Sequence, residues 1–165
     1  MFKDTVSASH FDFSYPNQTS FPPERNAYYF DCEAMAFYED SLYLFTKNRT
    51  EPWDGIAKVY SLSTEMKTQE ANFLNDMFMG PSGWWQDAIT GAEIRGKYCY
   101  LMTYNRVDIY KIKRGKLKYH SGIPLRPITQ KEGIAVNNLN ELVVGDEFSR
   151  LLGGGFLFQI PNKVK

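Results

Sequence analysis

Short apolar stretches recur along the chain, each alternating bulky and polar positions: FDFSY, AMAFY, SLYLFTK, AKVYSL, YCYLMTY, VDIYKI, GIAV, ELVVGD and GFLFQI. A period of two puts one set of side chains on each face of a strand, so these stretches predict strands rather than helices. Turn formers separate them, as in YPNQ, YEDS, NRTEPWDG, IRGK, KRGK and NNLN,. Only TQEANFLNDMFMG admits a turn or two of helix, and it reads equally well as an outer strand. Many short strands at close spacing predict an all-β domain.

The strands are organised as a repeat. CEAMAFYEDSLYLFTKNR aligns with ITGAEIRGKYCYLMTYNR without a gap, and KEGIAVNNLNELVVGDE aligns with both after one inserted residue. Leu42, Leu44, Thr46 and Lys47 fall on Cys99, Leu101, Thr103 and Tyr104; Glu33, Ala36, Leu42 and Lys47 fall on Glu132, Ala135, Leu142 and Glu147. A repeat of about 40–50 residues made only of strands predicts β-propeller blades. In each copy a small-residue inner strand (AMAF, GAEI, GIAV) leads to a bulky second strand and then a third ending in KVYSL, VDIYKI or GFLFQI. Small residues suit strands that crowd towards an axis.

The expected architecture is therefore all-β: a propeller-like array of about three four-stranded antiparallel blades in a single partial domain over 1–165. An outer strand spans 5–17, and the blades span 28–80, 86–128 and 129–162. Three blades do not close a ring of the usual four to eight. This predicts either the carboxy-terminal part of a larger propeller, truncated here, or closure by self-association.

Composition narrows the function classes. Nineteen basic residues balance nineteen acidic ones, so no overall field gathers nucleic acid. The 16% aromatic content fits a sheet protein,. Cys32 and Cys99 are too few for a disulfide scaffold and are not spaced as a metal pair; they read as buried thiols or one bridge,. No apolar run reaches the roughly 18 residues of a membrane span, and MFKDTVSASHFDF lacks the apolar middle of a secretion signal,.

On NAYYFDCEAMAF, LYLFTKNR, ITGAEI, YLMTYNRVDIYKI and QKEGIAV, over about Asp12 to Ile160, the chain resembles a group of exported bacterial β-propeller proteins of unknown function. Many of these are lipid-anchored, and they are distantly similar to esterase-like phytase and NHL-type propellers. The resemblance implies a six-bladed type of ring with further blades before FDFSYPNQ, and a periplasmic or cell-surface location. The chain departs from the pattern at Glu93, where an aspartate is expected, and at GDEFSRLLGGG.

The candidate chemistry lies at the starts of the inner strands. Asp31 and Glu33, Thr90 and Glu93, and Lys131 and Glu132 occupy matching places and should meet at one mouth of a central channel. Lys47, Arg49, Tyr104 and Glu147 stand beside them at the ends of the second strands. Such a mouth suits a small polar ligand or a protein, with Lys47, Arg49 and Lys131 as counter-charges. Alternatively, Asp31, Glu33 and Glu132 hold a calcium ion, a hard cation served by oxygen ligands. The competing structural reading has each carboxylate bonded to backbone N–H groups or to cations of a neighbouring blade. Asn48/Arg49 and Asn105/Arg106 predict turns with an inter-blade arginine–carboxylate pair. Trp84 and Trp85, in GPSGWWQDAITG, either stack on a partner or fill a gap between blades,.

No G-x-S-x-G, H-E-x-x-H or P-loop motif is present, and His10 and His120 are the only histidines,. NQT at 17–19 and NRT at 48–50 match the glycosylation pattern,. The sequence thus predicts a non-catalytic binding module. The alternatives are a calcium-assisted phosphoesterase or lactonase-like hydrolase, and a structural remnant that pairs with another chain.

Overall fold

A computed structural model of the chain describes residues 8, 10–162 and 164; positions 5–7 and 9 of the expected outer strand lie outside them. The chain is all-β, and its sheets are strung along the sequence in order. After β1 (Asp12–Ser14) and a single 3-10 turn at Arg25–Ala27, the first sheet comprises β2 (Asp31–Tyr38), β3 (Ser41–Lys47), β4 (Ile56–Ser63) and β6 (Asn72–Phe78), in that spatial order. β5 (Thr68–Glu70) is an excursion between β4 and β6 that pairs with β1 in parallel. The second sheet is β7 (Gly91–Arg95), β8 (Tyr98–Met102), β9 (Arg106–Lys113) and β10 (Lys116–Pro124), preceded by one helical turn, α1 (Trp84–Asp87). The third is β11 (Lys131–Val136), β12 (Glu141–Asp146) and β13 (Leu157–Pro161).

Within each of these three larger sheets neighbouring strands run antiparallel, and their inner strands lie together, β2 on β7 and β7 on β11. This is the layout of propeller blades about an axis, as the repeat predicts. The third blade departs from expectation: among the described residues it has three strands, because Glu147–Phe156 is spent on a loop around the Ser149–Gly153 bridge. TQEANFLNDMFMG forms strands β5 and β6, not helix.

Alternation decides where the core sits. One face of β2–β4 (Ala34, Ala36, Phe45, Val59) meets Ile89, Ala92, Cys99 and Leu101 of the second blade. The other face of the second blade (Tyr100, Met102, Val107, Ile109) meets Leu142 and Val144 of the third. Small residues on β2 and β7 allow the close approach near the axis, as the sequence implies. The remaining face of the first blade carries Leu44, Tyr60 and Leu62, and Phe11, Tyr15 and Phe30 cover them. A row of large apolar side chains needs such a cover, and the segment around β1 supplies it. Met35 and Phe37, on the same side of β2, stay exposed. Cys32 and Cys99 are both free thiols, Cys99 buried.

Candidate functional site

The inner strands all begin at the same end of the molecule, where β3 and β8 finish. β2 and β11 each carry a register irregularity at this end, between Asp31 and Ala34 and between Lys131 and Gly133; β7 runs in unbroken register. Bulges re-aim side chains, and these two fall at the repeat-equivalent Glu33 and Glu132.

The result is one connected polar network across three blades. The Lys47 ammonium, 1% exposed, donates to Glu33 Oε2 at 2.5 Å and to the Tyr104 hydroxyl at 2.9 Å, and lies 4.9 Å from the centre of the Tyr104 ring. The Tyr104 hydroxyl donates to Glu132 Oε1 at 3.3 Å. Arg49 forks between Asp31 Oδ2 and Glu33 Oε1, both at 2.8 Å. Trp85 packs on Tyr104 with ring centres 4.7 Å apart, and Trp84 stands edge-on to Trp85 with its ring 6.0 Å from the Arg49 guanidinium. The paired tryptophans therefore pack along one side of the network.

The charges differ in standing. Burial pushes the Asp31 carboxyl up, aided by the neighbouring Glu33 charge and opposed by Arg49 and Lys47. Burial works against the Arg49 charge, yet Glu33 and Asp31 outweigh it and hold the guanidinium above its ordinary value. The Arg49–Asp31 pair is nearly half exposed on both sides, so it contributes about 0–1 kcal/mol. Lys47–Glu33 is different, because the ammonium is almost wholly buried and removing its partner would strand a desolvated charge.

Six expected residues, Asp31, Glu33, Lys47, Arg49, Tyr104 and Glu132, thus come together. The other four do not join the network. Thr90 donates its hydroxyl to the Lys131 carbonyl at 2.6 Å, pinning β7 to β11. The Lys131 ammonium is buried and donates to the Pro127 carbonyl at 2.5 Å and the Thr129 hydroxyl at 2.7 Å. Burial lowers its pKa despite the Asp146 charge. Glu93 lies between the second and third blades, its carboxyl raised by burial against the pull of Arg95 and a Val136 backbone bond. Glu147 is exposed, and its backbone N–H donates to the Gln130 carbonyl.

Among the described residues no three His, Cys, Asp or Glu side chains are grouped so as to hold a metal ion. Of the carboxylates expected to hold calcium, Glu33 has both oxygens taken by cations, Asp31 is paired with Arg49, and Glu132 accepts from Tyr104.

The two arginine turns behave differently. Arg106 crosses from β9 to the first blade: it bonds Asp108 Oδ2 at 2.8 Å, Asp87 Oδ1 at 2.7 Å and the carbonyls of Met79 at 2.7 Å and Gln86 at 3.1 Å. Arg49 instead pairs with its own blade, because Asp31 and Glu33 of β2 lie beside the end of β3. Asn48, in the second glycosylation match, is buried and bonds Asp54 Oδ1 at 2.6 Å.

A neighbouring cavity was not legible in the sequence. Beside Arg49 and Asp31 lies a cavity of about 240 Å³, lined also by Gln18, Pro23, Tyr28 and Phe30. Tyr28, Phe30 and Asp31 come from the run NAYYFD that leads into β2, while Gln18 and Pro23 come from the segment that follows β1.

No protein-family model and no curated protein matches the chain. Among solved structures it is similar to a protein from Lactobacillus plantarum (17% identity, 78% of this chain and 40% of that one, TM-score 0.49). It is also similar to Saccharomyces cerevisiae Sqt1 (10% identity, 81% and 35%, TM-score 0.45) and to the computationally designed Ika4 protein (14% identity, 93% and 99%, TM-score 0.42). The chain thus spans 40% and 35% of the first two proteins.

Proposed function

We propose that the chain is a non-catalytic binding module of propeller type that takes a small polar ligand in the cavity beside Arg49 and Asp31. The observation that carries this reading is the position of that cavity at the exposed end of the buried network. Glu33, itself anchored by Lys47, and Asp31 hold Arg49, so its guanidinium is preorganised beside the cavity. Preorganised charges bind without an ordering cost. Tyr28 and Phe30 add ring surfaces. A ligand with hydrogen-bonding groups on its rim and an apolar face, such as a monosaccharide, matches this lining.

Titration calorimetry of the chain against a panel of monosaccharides tests the reading. A saturable heat is expected for at least one of them. Arg49→Gln should weaken it about tenfold, equivalent to about 1.4 kcal/mol, and Tyr28→Ala should weaken it as well. The reading fails if no sugar binds, or if binding survives both substitutions in folded protein.

A further inference from the structure

β9 and β10 form a hairpin closed by Arg114 and Gly115, at φ 53° and 71°. A Cβ on Gly115 would meet nothing, so glycine stands there for its φ and not for lack of space. The register sets Lys113 opposite Lys116 and Lys111 opposite Lys118, which places four ammonium groups on one face. All four are exposed, and no carboxylate among the described residues pairs with them. Like charges directly opposite across an antiparallel pair destabilise it. The run KIKRGKLK has five cations and no acid, and because the chain is neutral the rest of it carries an equal negative charge. Lysines on an edge strand discourage stray pairing, but charge on β10 alone would do that. Lys111 and Lys113 on β9 double the field on the same face.

The opposite face is apolar. Ile112 and Leu117 pack against the core between the first two blades, and next to Leu117 a groove of about 520 Å³ reaches Leu74 and Met77 on β6. β10 is the last strand of its sheet among the described residues. The Ile112 N–H donates to the Lys97 carbonyl at 2.8 Å, so the Ile112 backbone faces β8. Its partner Leu117 therefore occupies a non-hydrogen-bonded pair and turns its own N–H and C=O to the outer edge,. Tyr119, two residues on and just before the register break at His120, turns its N–H the same way,.

From this juxtaposition we infer that the β10 edge takes an extended acidic segment of a partner protein. The segment pairs its backbone with Leu117 and Tyr119. Its Asp or Glu side chains, at every second position, face Lys116 and Lys118, and the apolar side chains between them enter the groove by Leu74 and Met77. Strand addition draws affinity from the main chain and specificity from alternating side chains. The lysines suit carboxylates spaced along a strand, since each is a compact point charge that reads sign and not bidentate geometry.

The test titrates the full chain into a fluorescent peptide of about ten residues alternating Glu with Val. Anisotropy at low and physiological salt is read alongside backbone hydrogen exchange. Saturable binding is expected, weakened several-fold by salt, with slowed exchange at the Leu117 and Tyr119 amides. Lys116→Glu/Lys118→Glu should weaken binding tenfold or more while raising Tm, because the new carboxylates face Lys113 and Lys111. Should that variant not fold, Lys116→Gln/Lys118→Gln gives the same comparison. The inference is overturned by absent binding, by binding that survives the folded double variant, or by unchanged exchange at Leu117 and Tyr119 when the peptide is bound. It is equally overturned if a peptide with Glu and Val in separate blocks, or phosphatidylglycerol vesicles, bind as tightly.

Discussion

At the scale of single residues, Arg106 and Asp54 show how one charged side chain is fixed by several partners. Arg106 satisfies two carboxylates and two carbonyls on three separate segments, and only a planar fork of five N–H donors can do so. Arg106→Lys should cost about 2–4 kcal/mol in urea denaturation, since Asp87 and Asp108 are both buried and would be left with too few donors,. Asp54 has the opposite exposure and a clear pH signature. Burial raises its pKa, but hydrogen bonds from Tyr29, the Ile56 N–H and Asn48, with the Lys58 charge, outweigh it and hold the carboxyl below its ordinary value. A depressed acid contributes stability that is present above the unfolded pKa of about 3.9 and is lost as pH falls through the folded one. Wild type should therefore exceed Asp54→Asn in Tm at pH 7. The gap should close as the pH is taken below about 4, and a gap independent of pH would contradict the assignment.

At the scale of elements, alternation does the sorting. Phe37 and Phe45 are the same residue type on paired neighbouring strands, yet Phe37 is 58% exposed and Phe45 0%. Phe45→Ala should cost about 3–5 kcal/mol, whereas Phe37→Ala should stay within about 0.5 kcal/mol; chemical denaturation of the two variants compares them directly. The bulges at the starts of β2 and β11 belong to this scale too. They bring Glu33 and Glu132 into one network, and a plain period-two reading does not reveal them, because a bulge leaves the hydrophobic pattern of the strand beyond it intact. The same reasoning explains Arg49 and Arg106. Their TKNR and TYNR turns read alike, but the carboxylates that meet them come from different elements.

Across the whole molecule, contacts run between neighbours in sequence: the first blade on the second, the second on the third. Such an array behaves as a chain of coupled units. Leu142→Ala, which opens a cavity in the core between the second and third blades, should speed hydrogen exchange in β11–β13. Exchange in β2–β4, which that core does not reach, should be little changed,. Uniform acceleration in all three blades would mean that the array unfolds as one unit.

The all-β class, the three repeat copies and the meeting of six of the ten candidate residues were legible in the sequence. Period two and the spacing of the copies place those residues where the inner strands begin and the second strands end, at one end of successive blades. Less legible were the partners of each charge. Lys131 and Glu132 are adjacent, yet Lys131 is buried under Thr129 and Pro127 while Glu132 meets Tyr104. Which residue joins the site depends on a bulge and a loop, and neither leaves a compositional mark. The cavity beside Arg49 and the covering of Leu44, Tyr60 and Leu62 by Phe11, Tyr15 and Phe30 were equally hidden. Local patterning sets which face of each strand is apolar, since that is a matter of a few neighbouring residues. Where those faces meet, and which distant carboxylate answers which cation, is settled only when segments far apart in the chain are brought within a few ångströms of one another.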